Sequence, residues 1–229
     1  MDLLQLREGE IFKTLKALKP LDFVLVGGYA ANAYALPRFS VDCDIVVKDK
    51  KEAEGISSRL KELGYSKREK GQDLPYGGSF ERYEKQLENR FKVSVDVLIS
   101  GVQDRQTGAV FGADWIFENS KTRELRGKTI TEKLSVKIIG LDALFAMKAV
   151  SARAADIRDV FMLAPKVENW GWVMESISRK CNLKRLAKIV DTVNSKQFRD
   201  GLQGVYGQID DAVFRRHSEA INERLGGSV

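Results

Sequence analysis

Histidine occurs once in this chain, cysteine twice and proline four times, and each scarcity removes a class of function. The lone His217 sits among Arg215, Arg216 and Glu219 and reads as a surface histidine. A lone surface histidine excludes most zinc hydrolases and most Ser/His/Asp or Cys/His mechanisms. Cys43 and Cys181 stand far apart and outside any Cys-x-x-Cys pair, which excludes a disulfide framework and a four-ligand zinc site. Proline and glycine are too scarce for a disordered or fibrous chain. No stretch approaches the roughly 20 apolar residues that span a bilayer. The start, Met1 to Glu8, lacks the basic region and apolar run of a signal peptide. The expectation is a soluble, cytoplasmic protein whose metal chemistry rests on carboxylates, and carboxylates favour Mg²⁺ or Mn²⁺.

What is present is enough to build a core. At 229 residues and 43% hydrophobic the chain fits one large or two small domains. Its net charge of +6 suits a polyanionic partner, and equally an ordinary lysine-rich solvated surface.

Along the chain, Leu3, Leu6, Ile11, Leu15 and Leu18 recur at helical spacing up to Pro20. Phe23 to Val26 is a short apolar run with the signature of a buried strand, broken by Gly27-Gly28. Tyr29 to Leu36 predicts an alanine-rich helix ended by Pro37. Ser40 to Val47 predicts a second strand, and Lys50 to Leu63 an amphipathic helix closed by Gly64. The pattern from Tyr65 to Arg90 is loose, with a turn expected at Pro75 to Gly78 between two polar edge strands. Phe91 to Ile99 alternates into a third strong strand, and residues 109–139 hold short strand-like pieces. From Leu141 the chain reads as helical, with breaks near Pro165, Asn182, Ser195 and Gly207. These patterns predict an α+β protein. A mixed sheet flanked by helices over residues 1–140 would be followed by a helical bundle over 141–229.

The chemistry concentrates in Val41-Asp42-Cys43-Asp44-Ile45-Val46. Alternate residues of a strand face the same way, so Asp42 and Asp44 lie on one face, roughly 7 Å apart, while Cys43 and Ile45 face the core. Aspartate is disfavoured in strands, and two neighbouring acids repel and raise each other's pKa unless a cation sits between them. Asp96 repeats the anomaly as the single charge in Val93-Ser94-Val95-Asp96-Val97-Leu98. If its strand adjoins the first, three carboxylates gather at one edge. Such a set fits two divalent ions and in-line attack on a nucleoside triphosphate, with Asp96 also suited to be the general base. Gly27-Gly28, at a strand-to-helix turn, offers bare backbone N–H groups to phosphate oxygens.

Phe23 to Val47, FVLVGGYAANAYALPRFSVDCDIVV, resembles the signature of the DNA polymerase beta-like nucleotidyltransferase superfamily. That signature is an apolar strand, a Gly-Gly or Gly-Ser pair, a short helix and an Asp-x-Asp or Asp-x-Glu in the next strand. Gly27, Gly28, Asp42 and Asp44 occupy those positions, and Asp96 matches the third carboxylate. The spacing of Arg38, Ser40, Asp42 and Asp44 resembles the branch that contains abortive-infection (type IV toxin–antitoxin) nucleotidyltransferase toxins. A second block, LDALFAMKAVSARAADIRDVFML from Leu141 to Leu163, is similar to that branch's helical motif through Lys148, Arg153, Asp156 and Asp159.

The resemblance implies a nucleotidyltransferase fold, Mg²⁺ or Mn²⁺ on Asp42, Asp44 and Asp96, and an NTP substrate held by Gly27, Gly28, Arg38, Ser40, Lys148 and Arg153. It implies an RNA acceptor, such as a tRNA 3′ end, and an antitoxin protein partner. Three other readings stay open: a small hydroxylated acceptor, a protein side chain as acceptor, and a catalytically silent nucleotide-binding module. Lys148, Arg153, Asp156 and Asp159 have spacings that also make a plain set of helical ion pairs. One departure from the signature is Gly28, where many members carry a serine whose hydroxyl helps bind phosphate. Arg179, Lys180, Lys184, Arg185, Lys188, Lys196 and Arg199, against Asp191 alone, read as a phosphate-binding stripe or as a solvated face.

Overall fold

The computed structural model describes residues 2–68, 76–77, 79–88, 91–182 and 184–228. The chain divides into two compact units. One comprises Met1–Ala33 with Phe39–Ile139, and the other Tyr34–Arg38 with Gly140–Val229.

The first unit is α+β. Its helices are α1 (Leu3–Leu18), α2 (Gly27–Ala31), α3 (Lys50–Glu62) and α4 (Ala113–Glu118). Its strands are β1 (Val24–Val26), β2 (Asp42–Val47), β3 (Ser66–Lys67), β4 (Tyr76–Gly77), β5 (Phe80–Gln86), β6 (Lys92–Ile99), β7 (Gly101–Asp104), β8 (Val110–Gly112), β9 (Ser120–Leu125) and β10 (Leu134–Ile139). Among the described residues a seven-stranded mixed sheet runs β3-β5-β6-β2-β1-β10-β9, beside a small sheet β4-β7-β8. Strand β2 pairs parallel with β6 and antiparallel with β1. Val24, Leu25, Ile45, Val46, Val95 and Val97 are buried at the centre of the sheet, as expected of strands covered on both faces.

Local chemistry sets the helix ends. Asp49 caps α3 by accepting from the Glu52 N–H at 2.9 Å, and the Glu52 carboxylate reaches back to the Lys48 N–H at 2.7 Å, a variant of the capping box. Glu8, on the inner side of α1, is buried. It accepts from the backbone N–H groups of Lys128, Thr129 and Ile130 and from the Thr129 hydroxyl, so it pins that loop.

Two predicted elements differ. The helix expected over Tyr29 to Leu36 starts earlier, at Gly27, and stops at Ala31. Asn32 and Ala33 bond back only three residues, to Tyr29 and Ala30, a tighter turn that ends the helix before Pro37 restricts Leu36. Residues 113–118, within the stretch expected to hold short strand-like pieces, form α4, whose Ala113 and Ile116 are buried one turn apart; burial at helical spacing outweighs the β propensity of Trp115, Ile116 and Phe117. The turn expected at Pro75 to Gly78 lies partly outside the described residues, and Tyr76–Gly77 within it pairs with β7.

The second unit is helical: α5 (Leu141–Ser151), α6 (Ala154–Leu163), α7 (Trp170–Ser178), α8 (Lys184–Val193), α9 (Lys196–Tyr206) and α10 (Asp211–Leu225). A break absent from the sequence expectation separates α5 from α6, where Ala152 adopts φ 43°. Arg185 donates to the carbonyls of Val150 and Ser151 at 2.6 Å, and Lys188 to that of Ala152 at 2.9 Å. They satisfy the orphan C-terminal carbonyls of α5. His217, expected at the surface, is buried; its Nδ1 donates to the Phe161 carbonyl at 2.9 Å, and burial pushes its pKa down. No helix among the described residues is long and apolar enough to cross a membrane.

Candidate functional site

The acids of the first unit meet through strand register. Asp44 on β2 lies directly beside Asp96 on the parallel strand β6, and Asp42 beside Ser94. On the other side of β6, Arg82 of the antiparallel strand β5 is the partner of Asp96. Val26, the last residue of β1, is the partner of Asp44. One transverse row of the sheet therefore reads Arg82, Asp96, Asp44, Val26. Residues in register across a sheet share a face, so Asp96 and Asp44 come together and Asp42 lies two residues along the same face.

Gly27 follows Val26 and explains why glycine is needed there. Its φ is +67°, in the left-handed region, and a β-carbon would fall 2.0 Å from Asp44 Oδ2. The Asp44 carboxylate occupies the space that any side chain at position 27 would fill. Gly28 is buried in the first turn of α2, and Ser40 donates to the Asp42 carbonyl at 3.2 Å.

Arg82 is the residue that sequence reading missed. Its Nε and Nη2 each donate to Asp96 at 2.7 Å, and Nη2 also lies 3.3 Å from Asp42 Oδ1. The fork is bidentate, the strongest geometry available to a guanidinium and carboxylate. Ser94 donates its hydroxyl to the same Asp42 oxygen. Asp96 is fully buried, and burial raises its pKa even against the opposing pull of Arg82. The hydrogen bond to Asp96 raises the Arg82 pKa further above its ordinary value. The signal was available: a single charge in an apolar strand requires an opposite charge on a neighbouring strand.

Two of the three carboxylates, Asp42 and Asp96, thus share one guanidinium. Oxygen-only donors at Asp42 and Asp44 fit a hard divalent cation. Among the described residues, no three Asp, Glu, His or Cys side chains already stand together as a ligand set for a metal ion, and Asp96 has both oxygens taken by Arg82.

The second unit holds the other predicted residues in a different arrangement. Lys148 on α5 lies 2.8 Å from Asp156 and 2.8 Å from Asp159 on α6. Arg38 makes a bidentate pair with Asp159, both bonds 2.7 Å, and Tyr206 donates to Asp159 at 3.1 Å. Ser151 donates to Asp156 at 2.5 Å. Burial alone would raise the Asp159 pKa, but Lys148 and Arg38 overcome it and hold the carboxyl at about 2. Burial likewise works against the Lys148 charge, and Asp156 and Asp159 outweigh it. Arg153 is half-buried at the N-terminal cap of α6. Arg38 enters this set because Tyr34–Arg38, expected within the first domain, belongs to the second unit.

Among solved structures the chain is similar to JHP933 from Helicobacter pylori, with a TM-score of 0.54 at 17% identity over 100% of this chain and 94% of that one. At such identity the likeness concerns the fold alone. No family model matches the chain, and no curated protein matches it.

Proposed function

We propose that this chain is a metal-dependent nucleotidyltransferase with the DNA polymerase beta-like fold, moving a nucleoside monophosphate from an NTP to an acceptor hydroxyl. One observation carries the reading: Asp44 and Asp96 stand side by side on neighbouring parallel strands, with Asp42 on the same face and the Asp44 carboxylate against the bare α-carbon of Gly27. Two unlike charge-disfavoured strands converging on one point is hard to explain as framework, since buried like charges cost stability.

In the proposed reaction the acceptor oxygen attacks the α-phosphorus, the bond from that phosphorus to the α–β bridging oxygen breaks, and pyrophosphate leaves; the hydroxyl proton passes to solvent. Asp42 and Asp44 would hold the divalent ion, which would neutralise phosphate charge and acidify the hydroxyl. Asp44 is kept in place by its packing on Gly27, and Asp42 by the Ser94 hydroxyl. Gly27 and Gly28 would present backbone N–H groups to phosphate oxygens. Lys148 and Arg38 are read as framework, because Asp156 and Asp159 already match their charge; Arg153 keeps its proposed phosphate contact on the sequence resemblance alone.

RNA, such as a tRNA 3′ end, is the proposed acceptor, and an antitoxin protein the proposed partner; both rest on the resemblance and on the +6 charge. One observation favours a small-molecule or protein acceptor instead: Arg185 and Lys188 of the expected basic stripe are spent on the carbonyls that end α5. Incubation with labelled NTPs and total RNA, with and without Mg²⁺, tests the reading. Mg²⁺-dependent label in RNA is expected; label in added aminoglycoside or protein would move the acceptor, and no transfer to any of them would defeat the proposal.

A further inference from the structure

Asp96 is fully buried and both of its oxygens are already bonded to Arg82 at 2.7 Å. To ligate a metal it would have to leave this fully buried position and loosen a bidentate, charge-assisted pair with a permanently charged guanidinium. Strand register favours the pair, because Arg82 and Asp96 are direct partners on β5 and β6 and their side chains share one face. The same guanidinium reaches Asp42, with Nη2 at 3.3 Å from Oδ1. A fixed positive charge thus stands against two of the three carboxylates.

We infer that Arg82 takes the place of a second metal ion: the site accepts one divalent cation, on Asp42 and Asp44, and Asp96 is the positioning residue that holds Arg82. This rests on the nucleotidyltransferase reading. Arg82 supplies electrostatic stabilisation of the kind a bound ion gives, without the ion's exchange. It keeps Asp96 from serving as the base, because a fully buried carboxylate held by that guanidinium offers no exposed oxygen to an acceptor hydroxyl.

The test counts ions and does not depend on turnover. The protein is saturated with Mn²⁺ and a nucleoside triphosphate whose α–β bridge is a methylene, and bound Mn²⁺ is counted by equilibrium dialysis and by electron paramagnetic resonance. Two ions sharing a site lie about 3.5–4 Å apart and give a spin-coupled spectrum. Wild type is expected to hold one uncoupled Mn²⁺ per chain. Arg82→Gln, with Asp96 released, is expected to hold two coupled ions, and Arg82→Lys, which keeps a charge, to hold one. Two coupled ions in wild type would overturn the inference and leave the nucleotidyltransferase reading standing. One ion in folded Arg82→Gln would overturn it as well. Absence of protein-bound Mn²⁺ from wild type would overturn that reading and the inference together. Should Arg82→Gln fail to fold, the wild-type count alone decides.

Discussion

The two units solve the problem of burying aspartates in opposite ways. In the second, Asp156 and Asp159 meet Lys148 and Arg38, two negative charges against two positive, and hydroxyls of Ser151 and Tyr206 complete the bonding. In the first, Asp42 and Asp96 share the one guanidinium of Arg82, and Asp44 packs against the bare α-carbon of Gly27. A balanced set is complete as it stands and reads as framework. A set drawn around one shared guanidinium is the one that fits the proposed divalent cation. Similar residue types in similar proximity therefore carry different expectations, and the difference lies in how each acid is partnered.

The comparison breaks most sharply by removing an acid from each set. Asp42→Asn or Asp44→Asn should lower transfer by on the order of a thousandfold while leaving the melting temperature unchanged or raised, since repulsion is relieved. Steady-state rates at saturating Mg²⁺ and a thermal melt check both halves; a mutant that melts early and still turns over would show that these acids are structural.

Lys148→Met should do the reverse. It leaves Asp156 and Asp159 buried beside one another, a loss of about 3–5 kcal/mol and a melting temperature lower by on the order of 10 °C. A Lys148→Met protein as stable as the parent, with a raised KM for NTP, would move Lys148 from framework to triphosphate binding.

Gly27→Ala sharpens the contrast within the first unit. The left-handed φ costs about 1–2 kcal/mol for alanine, and the new methyl would collide with Asp44 Oδ2. The expected result is a modest loss of stability together with weakened Mn²⁺ binding by calorimetry. Unaltered metal affinity would separate Asp44 from the ion.

Acid titration gives the smallest effect, with opposite signs in the two units. Asp159, held at about 2, contributes stability that is present above the ordinary carboxylate value near 3.9 and is lost as pH falls toward 2. Asp96 has its pKa raised by burial, so its ionised form is disfavoured in the fold. Protonation of Asp96 as pH falls from neutrality adds stability until the ordinary value is passed. Side-chain carboxyl carbon shifts followed by NMR from pH 7 to 2 should show Asp96 titrating well before Asp159, and a reversed order would contradict this account.

Much of this arrangement was legible beforehand because strands announce themselves by alternation. Val24–Val26, Asp42–Val47 and Lys92–Ile99 lie within the expected strands, and the shared face of Asp42 and Asp44 follows from period two alone. What the sequence could not give was pairing. Nothing in Phe80–Gln86 says that it runs beside β6 with Arg82 opposite Asp96, because register is set by long-range packing and not by local pattern. The early end of α2 and the helix at Ala113–Glu118 were lost for a related reason: both depend on which face a neighbour covers. His217 looked exposed among charged residues, yet it lies on the buried stripe of α10 with Ile221 and Leu225 and turns inward toward Phe161.

Cys43 lies between the two acids in sequence but on the opposite, buried side of β2, and burial together with the Asp44 charge pushes its thiol pKa well up. A thiol so placed reacts with alkylating reagents only when the strand opens. Its labelling rate is thus a native clock for transient detachment of β2 from the sheet, while Cys181, half-exposed on the other unit, reports reagent access in the same tube. Ligands that grip the carboxylate face should slow the Cys43 clock and leave the Cys181 one running, so the back of a single strand can register occupancy on its front.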